Sequence, residues 1–79
     1  MSSENTTRAT VYGKPDCKQC EFTTKLMDKE GIPYQYVDIT VNEVAHQEVK
    51  SLGYTSAPVV VADTAHWSGF SPDKIRKLK

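Results

Sequence analysis

Apolar positions come in short bursts separated by polar punctuation, and the period changes from one burst to the next. Arg8-Ala-Thr-Val-Tyr12 is rich in β-branched and aromatic residues and is stopped by Gly13 and Pro15, which predicts a strand. A helical pattern follows. Asp16 and Gln19 are spaced as a capping box, Phe22 and Leu26 share a face with Thr23 and Met27 beside them, and Gly31 supplies a left-handed stop. Tyr34-Gln-Tyr-Val-Asp-Ile39 returns to period two, with Tyr34 and Tyr36 on one face and Val37 and Ile39 on the other. Thr40 and Glu43 form a second capping box, opening a helix whose stripe is Val41, Val44, Ala45, Val49 and Leu52, ended by Gly53. Ala57-Pro-Val-Val-Val-Ala62 is apolar on both faces, as in a strand covered from both sides. Asp63-Thr64 turns the chain into Ala65–Gly69 as a hairpin. Ser71, Pro72 and Asp73 then start a short helix that buries Ile75 and Leu78, with Lys74, Arg76, Lys77 and Lys79 as its solvated basic end.

The order β-α-β-α-β-β-α predicts an α/β fold. A parallel pair with a right-handed crossover gains an antiparallel hairpin, giving a four-stranded mixed sheet flanked by three helices, two on one face and one on the other. Residues 1–7 are polar and without period and are expected to be a mobile tail, leaving 8–79 as one domain.

Charge narrows the range of partners. Lys and Arg total 10, Asp and Glu total 10, and the net charge is +0, so the long-range positive field of a nucleic-acid or anionic-membrane binder is missing. No apolar run approaches the roughly 18 residues of a membrane span, and the opening residues lack a signal-peptide core, so a cytosolic chain is expected.

The two cysteines, Cys17 and Cys20, can close only a tiny loop and so do little to constrain an unfolded chain. A Cys-x-x-Cys at the mouth of a helix that follows a strand reads instead as a thioredoxin-like redox motif. In the first helical turn the Cys17 sulfur would lie beside N–H groups that lack intrahelical partners, and these groups favour a thiolate. Bringing a thiol from about 8.5 to about 7 takes roughly 2 kcal/mol. A helix N-terminus offers about 0.3–2 kcal/mol and an exposed lysine about 0.5, so Lys14 and Lys18 are candidate tuning groups, opposed by Asp16 and Glu21. A mildly activated thiol results. Cys17 is the expected exposed nucleophile and Cys20 the more buried resolving cysteine, which breaks the mixed disulfide by attacking Cys17.

Structural readings compete with this one. A zinc site would have to recruit His46 and His66, which stand apart in sequence and read as ordinary surface residues, so no metal is expected. Pro58 opens an apolar strand, a position that tolerates proline, and its simplest reading is a trans strand-starter, since only about 5–6% of such bonds are cis. Trp67 and Phe70 read most simply as packing residues.

Three stretches taken together resemble the NrdH-redoxins, glutaredoxin-like proteins that behave like thioredoxins. They are Val-Tyr-x-Lys-Pro-x-Cys-x-Gln-Cys at 11–20, Leu-Gly-Tyr-x-x-Ala-Pro-Val-Val-Val at 52–61, and Trp-Ser-Gly-Phe-x-Pro-Asp at 67–73. The resemblance covers residues 8 to 78. It implies a thioredoxin fold with Pro58 cis and facing the dithiol, and no bound cofactor beyond the Cys17–Cys20 redox disulfide. It also implies NADPH-derived electrons arriving through thioredoxin reductase and leaving to a class Ib ribonucleotide reductase, carried by a monomer. Gln19, Ala57, Pro58 and the segment Trp67, Ser68, Gly69 and Phe70 would border the groove where partner proteins dock, by backbone pairing beside Pro58.

Three positions depart from the family pattern. Lys18 stands where members usually have Val, which is expected to lower the Cys17 pKa slightly. Ser71 replaces an Arg expected to anchor the loop, although serine remains a good helix N-cap. Gly13 replaces Thr, which is expected to loosen the approach to the active-site loop. The runner-up function is a glutathione-dependent glutaredoxin. Typical members of that class carry Gly-Gly or Gly-Cys and acidic residues where this chain has Ser-Gly-Phe-Ser-Pro-Asp, which argues against ordinary glutathione binding. A third reading is a binding module with a reduced or zinc-bound cysteine pair.

Overall fold

Residues 7–79 are described by a computed structural model, so the tail expected over 1–7 lies, but for Thr7, outside the described residues. The elements run β1 (Ala9–Gly13), α1 (Lys18–Glu30), β2 (Tyr34–Asp38), α2 (Glu43–Ser51), β3 (Val59–Ala62), β4 (His66–Ser68) and α3 (Pro72–Arg76). They form a four-stranded sheet in the order β2-β1-β3-β4, with β1 parallel to β2 and antiparallel to β3, and β3 antiparallel to β4. This is the mixed sheet that the order of elements predicts.

Strand register builds the core. Val11 pairs with Val60, and Val60 with Trp67, so three apolar side chains from neighbouring strands share a face. Met27 of α1, Ile75 of α3, Ala9 and Ile32 close over them, with Leu26, Tyr34, Ala62 and Leu78 at the edge. Fully burying each large side chain of this set contributes about 1.5–3 kcal/mol. Alternation sends Tyr12 and Val59 to the opposite face, where the Tyr12 hydroxyl donates to Glu48 of α2 at 3.0 Å. Helices α1 and α3 therefore cover one face and α2 the other. Among the described residues no helix is long and apolar enough to cross a membrane.

Two helices, α1 and α2, begin later than their sequence patterns suggest. The cap of α2 is Asn42, whose Oδ1 accepts the Ala45 N–H at 3.0 Å. Thr40 is occupied elsewhere, its hydroxyl and its N–H both donating to Asp38 Oδ1, at 2.6 and 2.8 Å. With the start shifted, only Ala45 and Val49 of the predicted stripe are buried, while Val41 and Val44 face solvent at 82% and 70% exposure. Ser71 holds the cap position of α3, but its side chain makes no capping bond. Its carbonyl accepts the Ile75 N–H at 3.0 Å, and Pro72 starts the helix without needing a donor there.

Candidate active site

The loop Lys14-Pro15-Asp16 delivers Cys17 to the mouth of α1. Asp16 adopts a left-handed φ of 57°, a conformation Asp tolerates better than most residues, and Cys17 behind it is extended with φ −121°. The capping residue is thus Cys17 rather than Asp16, and Cys17 stands outside the first helical turn. Its carbonyl accepts the Glu21 N–H at 3.1 Å, which is the first bond of the helix. The N–H groups of Lys18, Gln19 and Cys20 precede that bond and lack intrahelical partners. The Cys17 sulfur takes one of them, accepting from Cys20 N at 3.1 Å. A sulfur in this seat is where a helix N-terminus stabilises a thiolate most directly.

Cys17 and Cys20 are joined as a disulfide with their Cα atoms 5.2 Å apart. Cys17 is 8% exposed and Cys20 2%, so the nucleophile expected to be exposed is itself largely covered, though less so than its partner. Both line a solvent-open cavity of about 390 Å³ together with Lys14, Glu21, Tyr34 and Tyr36. Lys18 is exposed on the first turn of α1 and does not line this cavity.

Hydrogen bonds tie the other expected site residues to this helix. Gln19 Oε1 accepts the Phe70 N–H at 3.2 Å, and the Gly69 N–H donates to the Pro58 carbonyl at 2.8 Å. Ser68 Oγ reaches the Ser56 carbonyl at 3.3 Å. The redox motif, the 56–58 segment and the 67–70 segment thus form one linked rim. Gly69 has φ 90°, a conformation side-chain-bearing residues rarely adopt, and a Cβ there would stand 3.4 Å from Gln19 Oε1. The Ala57–Pro58 peptide is cis. Trp67 is 4% exposed and belongs to the core cluster. His46 and His66 are exposed on α2 and β4, with His66 Nδ1 2.9 Å from the Tyr54 hydroxyl. Among the described residues no three His, Cys, Asp or Glu side chains gather as a metal site requires.

The glutaredoxin family model matches residues 9–67, most of the described chain. The glutaredoxin-like protein NrdH of Escherichia coli is 34% identical over 71 residues, which span 90% of this chain and 88% of that protein. The chain belongs to the NrdH-redoxins of the glutaredoxin family. The solved NrdH-redoxin of Escherichia coli, described for its thioredoxin-like activity profile, superposes with a TM-score of 0.87 at 33% identity, covering 91% of this chain and 95% of that one. The gene 56 protein of Mycobacterium phage L5 is 41% identical over 71 residues, 87% of this chain and 69% of its own length. With these relatives and its Cys17–Cys20 disulfide, the chain is a thiol–disulfide redox carrier with the thioredoxin fold.

Two features of this NrdH-redoxin escape a reading of sequence alone. Phe22, which helical spacing puts on one face with Leu26, is 49% exposed and packs its ring against Phe70 with centroids 5.7 Å apart. The buried side of α1 is instead Cys20, Thr23 and Met27, with the Thr23 hydroxyl satisfied by the Gln19 carbonyl at 2.8 Å. Gly13 is the second. A Cβ there would lie 2.7 Å from Tyr36 Cζ and 2.8 Å from Cε2, and closer still to the hydroxyl. The space left by the family's Thr is filled by the Tyr36 ring, so the loop approach is packed rather than loosened. Burial, with Asp38 nearby, pushes the Tyr36 phenol above its ordinary pKa, so it stays neutral.

Proposed function

We propose that this chain carries electron pairs from NADPH, through thioredoxin reductase, to a class Ib ribonucleotide reductase in the cytoplasm, working as a monomer with no bound cofactor. In the forward cycle the Cys17 thiolate attacks an acceptor disulfide; a Cys17–acceptor S–S bond forms and the first acceptor thiolate leaves and takes a proton. Cys20 loses its proton and attacks the Cys17 sulfur, forming the Cys17–Cys20 bond and releasing the second acceptor thiol. The acceptor gains two electrons and two protons, and the carrier leaves oxidised until the reductase returns them.

The observation that supports this reading is the position of Cys17 as the cap of α1. Its sulfur holds the Cys20 N–H at 3.1 Å, where a thiolate gains from unpaired donors without a metal or a buried base. The likeness to NrdH proteins and to a redoxin with thioredoxin-like activity favours this partner pair over glutathione. Trapping tests the acceptor. Reduced Cys20→Ser protein mixed with oxidised class Ib reductase is expected to form a covalent adduct that dithiothreitol releases, and Cys17→Ser is expected to form none. An adduct that survives in Cys17→Ser would overturn the assignment of nucleophile. Absence of any adduct with Cys20→Ser would remove this acceptor.

A further inference from the structure

We propose that Tyr36 is a specificity-determining residue of the redox site: its ring, seated over Gly13, is the wall against which a protein disulfide substrate lays the residues flanking its cysteine. This inference rests on the carrier reading above and names how the same site selects a chain.

The seat comes from strand register. Tyr36 pairs with Val11 across the parallel β1–β2 ladder, and Gly13 lies two residues further along β1. Aromatic side chains reach such diagonal neighbours. Gly13 is outside the left-handed region, so its φ does not demand glycine there. The demand comes from the Tyr36 ring, which occupies the volume a side chain at 13 would fill. One side of the ring is therefore fixed by the end of the strand that leads into the active-site loop. The other side is open, and Tyr36 is 45% exposed.

Tyr36 does not serve the core. Its neighbour on the same strand face, Tyr34, packs against the core cluster, whereas Tyr36 is outside it. Among the described residues its hydroxyl has no hydrogen-bond partner. What it does is line the cavity that both redox cysteines also line.

Geometry then says what meets it. A mixed disulfide holds the partner's Cα within about 4.4–6.8 Å of the Cys17 Cα. The next partner residue on either side is only about 3.8 Å further along. A chain bonded to Cys17 therefore brings its flanking residues to a cavity of about 390 Å³ lined by Tyr36, whose uncharged ring is backed on one side by Gly13. A flat ring with little freedom left to lose is suited to that contact.

Steady-state reduction of insulin, with melting temperatures measured in parallel, separates this role from simple packing. Tyr36→Ala is expected to raise KM for insulin about fivefold while kcat stays within about twofold. Tyr36→Phe, which keeps the ring, is expected to bring KM back to within about twofold of the wild type. The double variant Gly13→Thr with Tyr36→Ala refills the seat from β1; it is expected to regain the melting temperature lost by Tyr36→Ala while KM stays raised. An unchanged KM in Tyr36→Ala overturns the proposal, as does a double variant that restores KM together with stability. If Tyr36→Ala does not fold, the KM of the double variant decides alone. A wild-type protein that leaves insulin unreduced overturns the carrier reading itself, a different result from an active protein indifferent to Tyr36.

Discussion

At the scale of single residues, the charge beside Cys17 and the anchoring of the rim act through separate groups. Lys18 lies one residue beyond the cap, exposed, so its field reaches the sulfur through solvent and is worth only a fraction of a buried charge. Lys18→Val is expected to raise the thiolate midpoint of Cys17, read by its ultraviolet absorbance, by about half a pH unit. An unchanged or lower midpoint would remove Lys18 as a tuning group. Gln19 acts mechanically, holding Phe70 N at 3.2 Å across the gap between α1 and the 67–70 segment. Gln19→Ala is expected to lose about 0.5–1.5 kcal/mol in urea unfolding. Trp67 sits in the core with its indole N–H unpartnered among the described residues. Trp67→Phe loses no hydrogen bond but leaves a cavity in the core, so it is expected to cost about 1–3 kcal/mol and to leave the affinity for protein disulfides in place. A large loss of affinity with stability intact would return Trp67 to the docking surface.

At the scale of elements, caps and ion pairs decide where helices start and how they hold together. Asn42→Ala removes the acceptor for Ala45 N and is expected to cost about 1 kcal/mol, whereas Thr40→Ala leaves the α2 cap intact. Parallel urea titrations of the two variants check the order. Glu30 of α1 accepts from Lys79 Nζ at 3.1 Å and lies 3.5 Å from Arg76 Nε of α3. Lys79 first and Arg76 second hold its carboxyl below the usual value. Asp38 is held low as well, by the Thr40 hydroxyl and then the Thr40 N–H. Carboxylates whose folded pKa is depressed add stability that is complete above their unfolded pKa and is lost as pH falls through the folded one. The melting temperature is therefore expected to fall between about pH 5 and about pH 3, and less steeply in Glu30→Gln. Strands and their order were legible because β-branched runs between Gly and Pro stops carry their own signal. The starts of α1 and α2 were not, whereas that of α3, at Ser71 and Pro72, was. Thr40 and Asn42 are both good caps, and only the folded position of Asp38 engages the first and leaves the second free. A sulfur capping α1 lies outside the usual oxygen caps, so Asp16 was the natural choice from sequence.

At the scale of the whole molecule, the motifs Cys17–Cys20, Ala57–Pro58 and Trp67–Phe70 lie far apart in sequence yet are drawn around one end of the sheet. Sequence pattern could mark each motif, and the resemblance to NrdH-redoxins could join them. Neither could show that Gln19 and Gly69 are the physical joints. Nor could they show that Tyr36 fills the place of a side chain at 13, because that contact depends on the parallel register of β1 and β2. A net charge of +0 gives such a molecule no net charge with which to steer a partner over long range, so the proposed cycle leaves partner choice to local features. In the proposed cycle Cys17 and Cys20 carry electrons supplied by thioredoxin reductase rather than by glutathione. The most direct test follows NADPH consumption with insulin as acceptor, comparing thioredoxin reductase with glutathione plus glutathione reductase. Turnover is expected with thioredoxin reductase and to vanish in Cys17→Ser; turnover through glutathione alone would contradict the account.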